Sequence, residues 1–146
     1  MIPDDELILL DTSALLPWFR GNAEGYWLEA TYQLKARPFR PMVSIIVVGE
    51  ILAFAIRNSY SAERRQKLDK LLQEMTVVEV RPRVAAAFAQ IQASQQRLGM
   101  PIGENDTWIA ATTMVTGAVL LTKDRDFGKL PQGLIKLEWY DPPRHP

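Results

Sequence analysis

Cysteine is absent from this chain of 146 residues. Disulfides and thiolate metal sites are therefore excluded, and a reducing compartment is permitted. Histidine occurs once, as His145 between Arg144 and Pro146 in a proline-rich tail. That leaves imidazole catalysis and histidine-bound zinc without residues, so any metal must be held by oxygen. A basic excess is missing too: 17 Lys and Arg stand against 17 Asp and Glu. A nucleic acid can then be met only by a local patch, which the clustering of acids elsewhere would leave behind. No apolar stretch reaches membrane-spanning length, and the N-terminal segment lacks the basic start and long apolar core of a signal peptide. The expectation is a cytoplasmic protein with no membrane contact.

The apolar content that is present, 47% of residues, suffices for one core, and the expectation is a single domain over 1–146. Leu7-Ile8-Leu9-Leu10 ends on Asp11, and Val119-Leu120-Leu121-Thr122-Lys123 ends on Asp124. Runs apolar on both faces fit interior strands of a parallel sheet. Between them the chain alternates. A helix is predicted over Ser13 to Arg20, with Pro17 tolerable only in its first turn. A second runs from Glu24 to Lys35, with Trp27, Leu28, Thr31 and Leu34 on one face. Met42-Val43-Ser44 reads as a short strand feeding a helix from Ile45 to Arg57. Ser61 caps a helix striped by Leu68, Leu71, Leu72 and Met75. Thr76 to Val80 is a strand by β-branched content. Pro82 opens a helix over Val84 to Leu98, stopped by Gly99, and Glu104 to Thr116 forms the last, stopped by Gly117. Leu134 to Tyr140 is predicted as an edge strand. The order argues a three-layer α/β/α fold with a mainly parallel sheet.

In open parallel sheets the ligand site lies beyond the carboxyl ends of the strands. If the two aspartate-ended strands are neighbours, Asp11 and Asp124 converge there, and carboxylates brought together repel unless a cation or proton sits between them. Each also has the plainer reading of a turn or helix cap. Glu50 is the only charge between Ser44 and Ile56, costly to bury unless paired; it equally fits a solvent stripe of Ile46, Glu50, Ala53 and Arg57. Asp106 lies at a helix start, where dipole and free amides favour an acid, with Glu104 and Asn105 competing as caps.

Taken together, Leu9-Leu10-Asp11-Thr12-Ser13-Ala14-Leu15, Val48-Gly49-Glu50, Asn105-Asp106-Thr107-Trp108-Ile109-Ala110-Ala111 and Leu121-Thr122-Lys123-Asp124-Arg125-Asp126-Phe127 resemble the PIN domain in order and context. The resemblance runs from about residue 7 to 140. Chain length and the closing Leu137-Glu138-Trp139-Tyr140 resemble the VapC-like toxins of toxin–antitoxin pairs. The resemblance implies that Asp11, Glu50, Asp106 and Asp124 form the acidic cluster holding Mg²⁺ or Mn²⁺. Asp126 is a second candidate near Asp124, and Thr12, Ser13 and Thr122 are hydroxyls placed to orient a carboxylate or a water. It further implies an endoribonuclease that hydrolyses RNA phosphodiesters with a metal-activated water, because a divalent cation lowers the pKa of its water and polarises the phosphoryl oxygen. Lys123 and Arg125 flank Asp124, where they either contact phosphates or are simply solvated.

Partners follow from the same resemblance: a small antitoxin, whose C-terminal segment covers the cleft, and a homodimer mate. Trp18, Phe19, Tyr26, Trp27 and Phe54 fit either a partner face or ordinary core. The alternatives are a PIN-like binding module without catalysis and a PIN nuclease of RNA processing. A haloacid-dehalogenase-type phosphatase needs a second aspartate two residues after Asp11, where Ser13 stands. A receiver domain needs a phosphorylatable aspartate ending a middle strand, and Val80-Arg81-Pro82 supplies none.

Overall fold

Residues 2–142 are described by the computed structural model; His145 lies outside them. Among the described residues five strands form one sheet, β1 (Ile8–Leu10), β2 (Met42–Ser44), β3 (Thr76–Val78), β4 (Val119–Thr122) and β5 (Lys136–Trp139). Their order is β3-β2-β1-β4-β5, and every neighbouring pair is parallel. The described helices cover the two faces, giving three layers: α1 (Thr12–Arg20), α2 (Ala23–Tyr32), α3 (Ile45–Arg57), α4 (Ala62–Gln73), α5 (Pro82–Arg97) and α6 (Glu104–Thr116). A 3-10 turn, Arg125–Lys129, follows β4. Both central strands are buried throughout, as their uninterrupted apolar runs require.

One register decides where the site lies. Leu10 pairs with Leu121, so the next residues along each strand, Asp11 and Thr122, arrive side by side at the carboxyl edge. α3 and α6 begin and end where their capping signals stand. Ser44 accepts from the Ile46 amide, and Gly117 takes the left-handed conformation that ends α6.

Four elements depart from the sequence expectation. Pro17 sits in the interior of α1, beyond the first turn. Lacking an N–H, it leaves the Ser13 carbonyl without its helical donor, and the Tyr140 hydroxyl donates to that oxygen at 3.0 Å. A distant side chain thus offsets part of the proline's cost. α2 stops at Tyr32 because Gln33 turns left-handed (φ 52°), and Leu34 packs into the core from beyond the helix end. β3 is shorter than Thr76 to Val80: its one partner among the described residues, β2, is three residues long, and the ladder stops where the chain enters α3. β5 is likewise trimmed to the four residues that face β4.

α1 and α2 pack with almost no space between them. A methyl at Gly25 would stand 2.3 Å from the Pro17 carbonyl oxygen, so only glycine allows this approach. Of the aromatics that fit either a core or a partner face, Trp18 is buried, Phe19, Trp27 and Phe54 are half-buried, and Tyr26 is 72% exposed.

Candidate metal centre

Four acids and two cations line a cavity of about 320 Å³ at the carboxyl edge of the sheet. Asp11 reaches it from the end of β1, Glu50 from α3, Asp106 from the first turn of α6, and Asp124 from just beyond β4. The cations are Arg20 and Lys123. Lys123 is spoken for, since its Nζ lies 2.6 Å from Glu24 Oε1. Negative charge therefore predominates.

Asp11 is the most enclosed of the four, only 3% exposed, and both of its oxygens are held. Oδ1 accepts from the Ser13 hydroxyl at 2.7 Å and from the Ala14 amide at 3.2 Å. Oδ2 accepts from the Thr122 hydroxyl at 2.7 Å. Burial raises its pKa above the ordinary range, and the bonds from Thr122, Ser13 and Ala14 restrain that rise without cancelling it. Thr122 Oγ1 in turn accepts from the Asp124 amide at 2.9 Å, and Ser13 Oγ accepts from the Lys123 amide at 3.2 Å. Two hydroxyls thus lock the end of β1 to the turn after β4. Thr12 donates to Glu50 Oε1 at 3.2 Å, so the half-buried Glu50 faces α1 rather than lying along an open solvent stripe.

Asp106 stands apart. Its helix is capped by Gly103 without any side-chain bond, so neither Asp106, Glu104 nor Asn105 acts as the cap. No hydrogen bond or ion pair among the described residues reaches the Asp106 carboxylate. Burial, reinforced by Asp124, Asp11, Glu50 and Asp126, pushes its pKa up to about 6. Oxygens of Asp106, Asp124 and Asp126 all lie within 4.8 Å of one another, whereas Asp11 and Glu50 border the same cavity outside this triad. The capping readings hold too: Asp11 caps α1, and Asp124 caps the 3-10 turn by accepting from the Asp126 amide at 3.0 Å.

An all-carboxylate donor set with an unpaired, half-buried member fits a hard divalent cation of the Mg²⁺ type. Three contributors around it were not placed at the site by the sequence. Arg20 enters the cavity wall from the last turn of α1. Glu24, from an undistinguished stretch, holds Lys123, and the Tyr140 hydroxyl lies 3.0 Å from both Glu24 Oε1 and the Ser13 carbonyl, its single proton shared between the two. Arg125 turns away to Asp141 at 2.8 Å and lies over the Trp139 ring.

Five parallel strands under two helical layers, with carboxylates gathered beyond their carboxyl ends, define an α/β/α protein with an acidic edge site. The chain belongs to the PIN domain family, whose sequence model matches residues 8–132. Ribonuclease VapC2 of Haemophilus influenzae is 32% identical over 89 residues, 60% of this chain and 67% of that protein. Ribonuclease VapC4 of Mycobacterium tuberculosis is 29% identical over 91 residues, 61% of this chain and 70% of its own. The fold is similar to that in the VapBC2 complex of Rickettsia felis bound to a promoter DNA fragment, with a TM-score of 0.79 and 20% identity over 92% of this chain and 99% of that one.

Proposed function

We propose that this chain is a toxin endoribonuclease of the VapC type, a single PIN domain acting in the cytoplasm and restrained by a small antitoxin protein. The observation that carries the reading is the unpaired Asp106 carboxylate among Asp11, Glu50, Asp124 and Asp126. Such an arrangement is unfavourable for the protein alone and is relieved by a cation. The reading is supported by the ribonuclease names of its relatives and by the toxin–antitoxin complexes that share its fold.

Asp106, Asp124 and Asp126 would hold Mg²⁺ or Mn²⁺, with Asp11 and Glu50 completing the acidic wall. When bound, the cation supplies the Lewis acidity that phosphodiester hydrolysis requires. Ser13 and Thr122 fix both oxygens of Asp11 in one orientation, and Thr12 does the same for one oxygen of Glu50. Arg20 brings positive charge to the cavity wall and can meet a substrate phosphate there. Glu24, itself contacted by Tyr140, positions Lys123 at the cavity wall. The homodimer and the antitoxin belong to this proposal.

The test is cleavage of single-stranded RNA with Mg²⁺ present. Activity should vanish in EDTA and fall about 100-fold or more in Asp11→Asn and Asp106→Asn, with circular dichroism unchanged. Undiminished cleavage in EDTA would refute it.

A further inference from the structure

A second cavity is about twice the volume of the acidic one. A groove of about 660 Å³ runs between the end of α1, Lys35 and the outer face of α4. Arg20, Lys35, Arg64, Lys67 and Lys70 line it, all exposed, against Glu63 and Glu74. Lys67 pairs with Glu63 at 3.5 Å. The other four cations have no carboxylate within ion-pair distance among the described residues. Aromatic rings hold three of them in place without neutralising them. Arg64 lies 4.3 Å over Tyr60, Arg20 5.4 Å over Phe54, and Lys35 6.0 Å over Trp18.

Two features decide what such a groove takes. Arg64, Lys67 and Lys70 follow one another at three-residue spacing, a ladder of charge rising about 4.5 Å per step along α4. Arg20 lines both this groove and the acidic cavity, so the two are contiguous. A chain neutral overall has separated its charge into an acidic cavity and a basic groove with a shared wall. An occupant that spans both must be a polyanion with one phosphate presented to the acids and its neighbours to the cations.

We propose that this groove is the track for the single-stranded RNA backbone on one side of the cleaved bond. The inference rests on the ribonuclease reading for its substrate class. It assigns Arg64, Lys67, Lys70 and Lys35 to phosphate contact and Arg20 to the junction. Contacts of this kind supply affinity and register without reading bases, so the groove sets how tightly RNA binds, not which sequence is cut.

The experiment compares the full chain with an Arg64→Ala/Lys67→Ala/Lys70→Ala variant and with Lys35→Ala, which lies on a different element. Binding of a fluorescent RNA of about 12 nucleotides is followed by anisotropy in EDTA over a salt series. Losing three phosphate contacts should lower the slope of log affinity against log salt by about 2, and affinity on the order of 100-fold at 0.1 M salt. Lys35→Ala should lose about 5-fold. In Mg²⁺ the triple variant should raise KM for the same RNA with kcat kept, and cleave a trinucleotide as the parent does. Equal affinity and slope in parent and triple variant would overturn the groove, whatever the nuclease does. So would a variant that keeps RNA affinity but loses an acidic protein partner. Groove-dependent binding without any cleavage by the parent would instead sink the nuclease reading and leave the groove standing.

Discussion

Replacing Asp106 by Asn should make the metal-free protein more stable at neutral pH while removing its activity. In the fold the Asp106 carboxyl is raised from the ordinary 3.8 to about 6, by burial first and by the surrounding acids second. Its protonated form is the one the fold prefers. The associated stability is present below about pH 4 and is lost as pH rises through about 6, so at pH 7.5 the anion opposes folding. Moving a carboxyl this far costs about 3 kcal/mol before screening. Asp106 is only half-buried, and solvent reduces the figure to about 1–2 kcal/mol. Asn keeps the shape and discards the charge, so Asp106→Asn should raise Tm by roughly 3–6 °C at pH 7.5 in EDTA. At pH 4 the gain should disappear, because the parent carboxyl is then protonated as well. Adding Mg²⁺ should stabilise the parent more than the variant. Scanning calorimetry at the two pH values, with and without Mg²⁺, reads all three effects. A variant no more stable than the parent at pH 7.5, or a gain that persists undiminished at pH 4, would refute the account of mutual repulsion.

Thr122→Val preserves shape and deletes the 2.7 Å bond to Asp11; it should cost about 1.5–3 kcal/mol in urea unfolding and weaken Mg²⁺-dependent activity 10–100-fold, and unchanged activity would deny Thr122 a positioning role. Gly25→Ala drives a methyl to 2.3 Å from the Pro17 oxygen and should destabilise by about 1–3 kcal/mol despite alanine's better helix propensity, which a urea midpoint measures. Tyr140→Phe strands the Ser13 carbonyl and should cost about 1–2 kcal/mol; adding Pro17→Ala, which restores an N–H to that oxygen, should recover part of the loss, and strict additivity in the double-mutant cycle would show the two are uncoupled.

Apolar runs and caps made much of the scaffold legible. β1 and β4 could be recognised as interior strands because neither has a polar face, though not as neighbours, and α6 because Gly117 marks its end. The gathering of Asp11, Glu50, Asp106 and Asp124 at one cavity follows from parallel topology once those strands pair. Detail that depends on contacts 99 and 127 positions apart was not legible. Nothing near Pro17 announces that Tyr140 will satisfy the carbonyl it exposes. Nothing near Glu24 says that Lys123 will reach it. Strand length was overestimated at β3 and β5 because β-branched content extends further than the partner strand does. The closer grouping of Asp124 with Asp126 and Asp106, and not with Asp11, depends on the 3-10 turn after β4, a geometry that residue types alone do not define.

The hydroxyl lock between β1 and β4 also has a consequence for synthesis. Ser13 and Asp11 bond to Thr122 across 109 and 111 positions, so the two halves of the acidic wall meet only by closing nearly the whole chain. Contacts of such separation form late. During translation, β1, α1 and α3 leave the ribosome long before the strand that completes their edge, and a nascent chain lacking β4 carries Asp11 and Glu50 without Asp124. The acidic wall is therefore incomplete until the final quarter of the chain has emerged and paired. Toxicity built on that wall would be withheld from the ribosome and message that are still producing it.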